Sequence, residues 1–242
     1  MKPSELFINT GARLKNCPEF ATMAPWIVYA APSFKLCPNA TKECMMGCYG
    51  GAIGTGYLEM ERASKPDGPI WAKRLERRSV LEGWAEHGIS DQEVAAISTY
   101  LRKASKGKQM AIRINGTSDV HPSKYVKLMD AIPEAVWYDY SKRHDTIEWK
   151  LAERPSLHMT YSYAGPKDIP FAEKCLSLGI NVAVVFKDDL PETFLGAKVL
   201  DGDVSEARFN DPPNRVVGLR LRGNRINKAY DGGKLREFVV GQ

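Results

Sequence analysis

The chain lacks any apolar run near the ~20 residues that a membrane-spanning helix needs, and its opening stretch, MKPSELFINTGARLKN, lacks the apolar core of a secretory signal. Both absences lead to the expectation of a cytoplasmic protein with no membrane partner. G-x-S-x-G, H-E-x-x-H and G-x-x-x-x-G-K-[ST] are all missing, so lipase-type, zinc-protease and P-loop chemistry lose their specific support. The glycine-rich GGAIGTG stretch lacks the Lys-Ser/Thr ending of a phosphate loop. No strand is followed by the G-x-G-x-x-G turn of a dinucleotide-binding half. Cysteine is scarce, at five in 242 residues. In a reducing compartment such cysteines do not pair as disulfides, so their spacing reads as metal chemistry, redox chemistry or packing.

What is present suffices for a buried core. Hydrophobic residues make up 43% of the chain, which excludes a disordered tail-like protein. The net charge of +5 is compatible with a nucleic-acid partner but supports one weakly, because the basic residues are spread along the chain. The densest group, Lys73, Arg74, Arg77 and Arg78, falls on an amphipathic helix and reads as a solvated face. Arg220, Arg222 and Arg225 form a shorter group of candidate anion contacts.

The first 60 or so residues are rich in loops, proline and glycine. Beyond them a regular pattern begins. Helical spacing predicts helices over 69–86 and 91–103, the second with a Ser90/Asp91 start suited to capping. Strand-like runs at 110–115, 136–140, 157–162, 181–186, 198–201 and 216–221 alternate with helical stretches at 123–131, 146–152 and 169–178, and with a short turn or helix at 191–195. Strands and helices alternating in this way imply parallel pairing through right-handed crossovers. Polar residues end almost every strand, as at the active face of a (β/α) barrel. The expected fold is therefore α/β and barrel-like, an incomplete TIM barrel, in a single domain spanning 1–242: a loop-rich cysteine segment over 1–60, then repeated βα units over 61–242.

Cys37, Cys44 and Cys48 lie in KLCPNATKECMMGCYGGAIGTG, with six residues between the first pair and three between the second. Gly50, Gly51, Gly54 and Gly56 let the backbone approach closely, so three thiolates so placed can converge on one centre. A structural zinc site normally takes four protein ligands, often as C-x2-C pairs, and that spacing is absent. Soft thiolates also suit an iron–sulfur cubane, in which three cysteines hold three irons and leave the fourth to another ligand. A [4Fe-4S] cluster is favoured over zinc on this basis. Cys175 shares a helical face with Ala172 and Leu176 and reads as core, while nothing in the spacing of Cys17 demands a ligand role.

The segments F-I-N-T-G, C-P-x-A-x-x-x-C-x-x-x-C-Y-G, R-x-N-G-T-S-D, Y-x-Y-S-K and D-P-x-x-x-V-V-G-L-R together resemble a family of phage- and plasmid-encoded gene-product-88-like proteins over residues 7–223. The resemblance implies a bacteriophage protein working in the host cytoplasm. It also implies a barrel-like α/β fold carrying an iron–sulfur cluster on Cys37, Cys44 and Cys48, placed as in radical S-adenosylmethionine enzymes. Those enzymes use C-x3-C-x2-C, which this chain does not, so S-adenosylmethionine is the less favoured cofactor.

A cluster over the strand ends would be surrounded by Arg113, Asn115, Ser118, Asp119, Tyr140, Lys142, Lys187 and Asp203. Among these, Asn115, Asp119 and Lys142 are the strongest candidates for contacts to the cofactor or to an unidentified small ligand at its open iron. His121 could be a fourth ligand but reads better as the start of a helix at His121-Pro122-Ser123. Whether the chain is an enzyme is left open. Two rival readings are reductive cleavage of S-adenosylmethionine and a nucleic-acid or host-protein binding module with a structural metal.

Overall fold

The computed structural model describes residues 1–9, 14, 16–41, 43–44, 69–221, 230–233, 235 and 239–241. Along the chain these form α1 (Pro3–Leu6), β1 (Ala24–Ile27), α2 (Pro69–His87), α3 (Asp91–Ser105), β2 (Met110–Arg113), α4 (Val126–Ala131), β3 (Val136–Ser141) and α5 (His144–Glu153). There follow β4 (His158–Ser162), α6 (Ile169–Ser177), β5 (Asn181–Phe186), β6 (Thr193–Phe194), β7 (Ala197–Asp201), β8 (Val216–Arg220) and β9 (Val239–Val240).

The nine strands make one sheet in the order β1-β2-β3-β4-β5-β8-β7-β6, with β9 beside β5. Pairing is parallel except in the β6–β7 hairpin. From β1 to β5 the spatial order follows the chain without reversal, so this half is singly wound and has no switch point of the dinucleotide-binding kind. Among the described residues the ladder does not close on itself.

Alternation along the strands sends side chains to two distinct cores. Trp26, Ile112, Trp137, Met159, Tyr161 and Val184 pack with Leu81, Trp84, Leu101, Leu128, Ile147 and Leu176 from the helices. On the other face Ile27, Ala111 and Tyr138 meet Leu14, Cys17, Phe20 and Ala207. The loops bearing Cys17 and Ser205 are tied together there, because the Glu19 carboxylate accepts from Cys17 Sγ at 2.9 Å and from Ser205 Oγ at 3.1 Å. Cys17 and Cys175 are both buried core thiols, as their surroundings in the sequence led us to expect for Cys175.

Local chemistry accounts for the element ends. Ser90 Oγ accepts from the Glu93 amide at 3.3 Å, and Glu93 accepts from the Ser90 amide at 3.0 Å, a reciprocal capping box that starts α3. Lys106 in the left-handed region then ends that helix.

Of the turn or helix expected at 191–195, the chain takes the turn: Thr193 and Phe194 pair with Lys198 and Ala197, and Leu195 and Gly196 turn the chain at φ 51° and 70°. A two-residue hairpin turn with both φ values positive suits the twist of the strands it joins. The loop-rich first segment also contains a buried strand, β1. Its sequence, APWI, is only four residues and holds Pro25, which is tolerated because β1 lies at the end of the sheet path.

Candidate metal centre at the strand ends

The turn after β2 positions the cysteine segment. Gly116 sits so close to residues 27–29 that a Cβ would stand 2.5 Å from Val28 O and 2.8 and 2.9 Å from the Ile27 and Tyr29 side chains, and its own amide donates to the Val28 carbonyl at 3.0 Å. Next, Thr117 Oγ1 donates to Ala30 O at 2.7 Å and the Asp119 amide to Leu36 O at 2.9 Å. Three successive clamps thus carry residues 28–36 across the end of the sheet and deliver Cys37. Turns continue the segment: the Cys37 amide donates to Ser33 O at 2.9 Å, Ala40 to Cys37 O at 3.1 Å, and the Cys44 amide to Thr41 Oγ1 at 3.0 Å. Cys37 and Cys44 are half-buried. Cys48 lies outside the described residues.

Lys142, at the end of β3, brings charge to this segment. Its ammonium donates to Ser162 O and Oγ at 3.2 Å and to Tyr163 O at 3.0 Å. Burial lowers its pKa, and the opposing influence comes from Cys44, Asp119, Asp168 and Cys37, so the ammonium lies within electrostatic range of both thiols. Burial in turn pushes the Cys44 thiol up, against the pull of Lys142.

Asp119 is buried behind Lys142. Its carboxylate accepts from Ser141 Oγ at 2.7 Å and from the Lys142 amide at 2.9 Å. Desolvation nevertheless lifts it from 3.8 to about 6, because those two bonds and the Arg143 charge only partly offset burial and the nearby charge of Asp139. Asn115 shapes the loop: Oδ1 accepts from the Val120 amide at 2.9 Å and Ser118 Oγ at 2.8 Å, while Nδ2 donates to Val120 O at 3.0 Å and Tyr125 Oη at 3.4 Å. Of the three polar candidates, Lys142 and Asp119 therefore meet at the cysteine segment, and Asn115 builds the turn that supports it.

The other expected neighbours are placed elsewhere or bound differently. Arg113 lies 4.4 Å above the Tyr140 ring and 3.6 Å from Asp139. His121 caps a 3-10 turn, its Nδ1 accepting from the Ser123 amide at 3.3 Å, which is the helix-start role expected of it. Further along the sheet, Lys187 pairs with Asp188 and Asp231, and Arg220 with Asp201 and Asp203. The basic helix α2 is internally compensated: Lys73 pairs with Glu5 and Glu76, Arg78 with Glu82, and Arg77 donates to Glu5 O and Tyr29 O.

Sequence reasoning passed over a second group at the same end of the sheet. Tyr161 Oη lies 2.6 Å from both oxygens of Asp168, which also accepts from the Ala164 amide at 3.0 Å. His144 Nε2 lies 3.2 Å from Asp168 Oδ1, its ring stacked 3.6 Å above Phe171. The signal available was the run Ser162–Tyr163 at a strand end followed by Asp168 before a helix, but nothing local ties His144 to it. Between this group and the cysteine segment is a cavity of about 340 Å³, lined by Thr41 and Glu43 on one side and residues 164–168 on the other.

Two half-buried soft thiols on one segment, within electrostatic range of a buried cation, suit a thiolate-bound metal group, whose net negative charge such a cation offsets. Among the described residues no group of three or more Cys, His, Asp and Glu stands ready to hold a metal ion, and that set contains only two of the three loop cysteines. No described helix is long and apolar enough to cross a membrane. A family model described as gene product 88 matches residues 8–232 of the chain. No curated protein and no solved structure matches it.

Proposed function

The chain belongs to the gene product 88 family, and from that premise we propose that it is a phage-type iron–sulfur protein. Cys37, Cys44 and Cys48 hold a [4Fe-4S] cluster whose fourth iron is open or bound by a group other than cysteine. The observation that supports the reading is that the segment bearing Cys37 and Cys44 is clamped across the strand ends by Gly116, Thr117 and Asp119, within electrostatic range of the Lys142 ammonium. Such a cluster supplies redox chemistry or a site for a small ligand. Around it Lys142 balances thiolate charge, Asp119 holds Lys142 and Ser141 in place, and the Asn115 turn fixes the path of the cysteine segment.

The same reading takes the open sheet as an incomplete barrel. The inner-face loops that link Glu19 to Ser205 support this, since they bring the segments before β1 and after β7 together. The reading is tested by anaerobic purification with iron and sulfide analysis and electron paramagnetic resonance. About four irons and four sulfides per chain are expected, together with their loss in Cys37→Ala and Cys44→Ala. A colourless protein with stoichiometric zinc overturns it.

A further inference from the structure

The face of the sheet that bears Ile27, Ala111 and Tyr138 also holds a charge. Ile27 pairs with Arg113, and continuing the Ala111–Val136 and Ile112–Trp137 pairing by one residue sets Arg113 beside Tyr138 on that face. The Arg113 guanidinium is fixed along one edge: Nε donates to Asn115 O at 3.2 Å, and the group lies 4.4 Å from the centre of the Tyr140 ring. Asp139 stands 3.6 Å from Nε, outside hydrogen-bond range, and its oxygens already accept from the amides of Asn115 and Tyr140 and from Tyr125 Oη. Among the described residues nothing accepts from Nη1 or Nη2, although the side chain is only 13% exposed. An arginine whose plane and Nε are held in this way offers those two nitrogens as a rigid pair of donors, the arrangement that matches a carboxylate or a phosphate.

A second, independent observation lies beside it. Tyr138 is 1% exposed, and its hydroxyl is enclosed with no hydrogen-bond partner. Burial keeps this phenol protonated, and the strongest charge acting on it is that of Arg113. A buried hydroxyl left without an acceptor is costly, so an oxygen supplied from outside the chain gains on meeting it. The neighbouring acids are already taken: Asp211 pairs with Arg208 at 3.1 Å, and Glu206 is itself engaged. The missing partner of both Arg113 and Tyr138 is therefore an acceptor, and beside a guanidinium a negatively charged one is favoured.

We propose that this face of the sheet carries a binding site for a small ligand bearing an oxyanion, a carboxylate or a phosphate group. Arg113 Nη1 and Nη2 donate to its oxygens, and Tyr138 Oη donates to one of them. One acceptor thus satisfies three donors that the described chain leaves without any, and the guanidinium is oriented before the ligand arrives. The site does not depend on what the cysteines hold.

The test is a titration of the uniformly ¹⁵N-labelled full chain with sodium acetate and, separately, with inorganic phosphate, followed at the Arg113 Nε–H and the Tyr138 amide, against a sodium chloride series of the same ionic strength. Saturable shifts at both signals are expected with at least one oxyanion, acetate marking a carboxylate site and phosphate a phosphate site, and none with chloride. Tyr138→Phe removes only the orphaned hydroxyl. It should fold at least as stably as the wild type in urea, yet weaken the apparent affinity at least about tenfold, as loss of a charged hydrogen bond does. Arg113→Gln should abolish the saturable response at the Tyr138 amide; if that variant fails to fold, Tyr138→Phe decides the matter. No saturable shift with either oxyanion, the same shifts with sodium chloride, or an unchanged affinity in Tyr138→Phe overturns the proposal. Iron content measured on the same sample judges the cluster independently of this outcome.

Discussion

Asp119 offers a sharp test of how the site is built, because its burial and its pH dependence are two aspects of one effect. In the fold its carboxyl holds a proton up to about 6, while in the unfolded chain it ionises near the ordinary value of 3.8. Between those values the folded state binds more protons than the unfolded one, so this group's contribution to stability is full at low pH and is lost as pH rises through about 6. At about 1.4 kcal/mol per tenfold change, the total is about 3 kcal/mol, of which about 2 kcal/mol falls between about pH 4.5 and 7.5.

Other carboxyls oppose this slope. Glu134 is held low by its Arg102 partner, and Asp145 is held low by Arg143 despite some burial, so the raw stability profile mixes both signs. Asp119→Asn isolates the effect. The amide can keep the bond from the Lys142 amide and can donate to Ser141 Oγ, but it does not titrate. Urea unfolding of metal-free protein, wild type and Asp119→Asn, should show the wild type losing about 2 kcal/mol relative to the variant from about pH 4.5 to 7.5. A difference that stays flat with pH would mean that burial does not raise the Asp119 carboxyl. One that grows in favour of the wild type with pH would mean that the fold stabilises the carboxylate.

Further outcomes test the neighbouring residues. With the proposed cluster reconstituted, Lys142→Met should lower its reduction potential by more than about 60 mV, the one-electron equivalent of a tenfold change, as read by redox titration; an unchanged potential would separate Lys142 from the proposed cluster. Gly116→Ala forces a Cβ against Val28 O at 2.5 Å. It should cost about 3 kcal/mol as overpacking against backbone, seen as a lower urea midpoint. Asn115→Ala removes the amide that satisfies Val120 N and O in a buried turn. It should cost about 2 kcal/mol and speed hydrogen exchange at Val120, whereas unaltered exchange would show that the turn stands without it.

The repeated strand–helix units are visible locally, since the periodicity at 91–103 or 181–186 depends on neighbours a few residues apart. The cysteine triplet is equally visible, as a matter of spacing. β1 is not, because four residues containing Pro25 carry no alternation of their own and become a strand only when Met110–Arg113 pairs alongside. At 191–195 the turn was legible but the pairing of Thr193 and Phe194 was not, since it depends on the positive φ at Leu195 and Gly196 and on Ala197 and Lys198 lying opposite.

The α/β class, the polar residues at the strand ends and the three cysteines that dominate any functional reading are all legible in the linear chain. The unreversed order from β1 to β5, and which strand-end residues come together, are products of packing. Lys142 and Asp119 lie behind the segment bearing Cys37 and Cys44, Asn115 turns inward to support the loop, and Tyr161, Asp168 and His144 form one group across a cavity from Glu43. The reason is physical. Periodicity is written in adjacent residues, whereas a site joins side chains from distant segments, and their meeting depends on sheet register and on close contacts such as Gly116 against Val28.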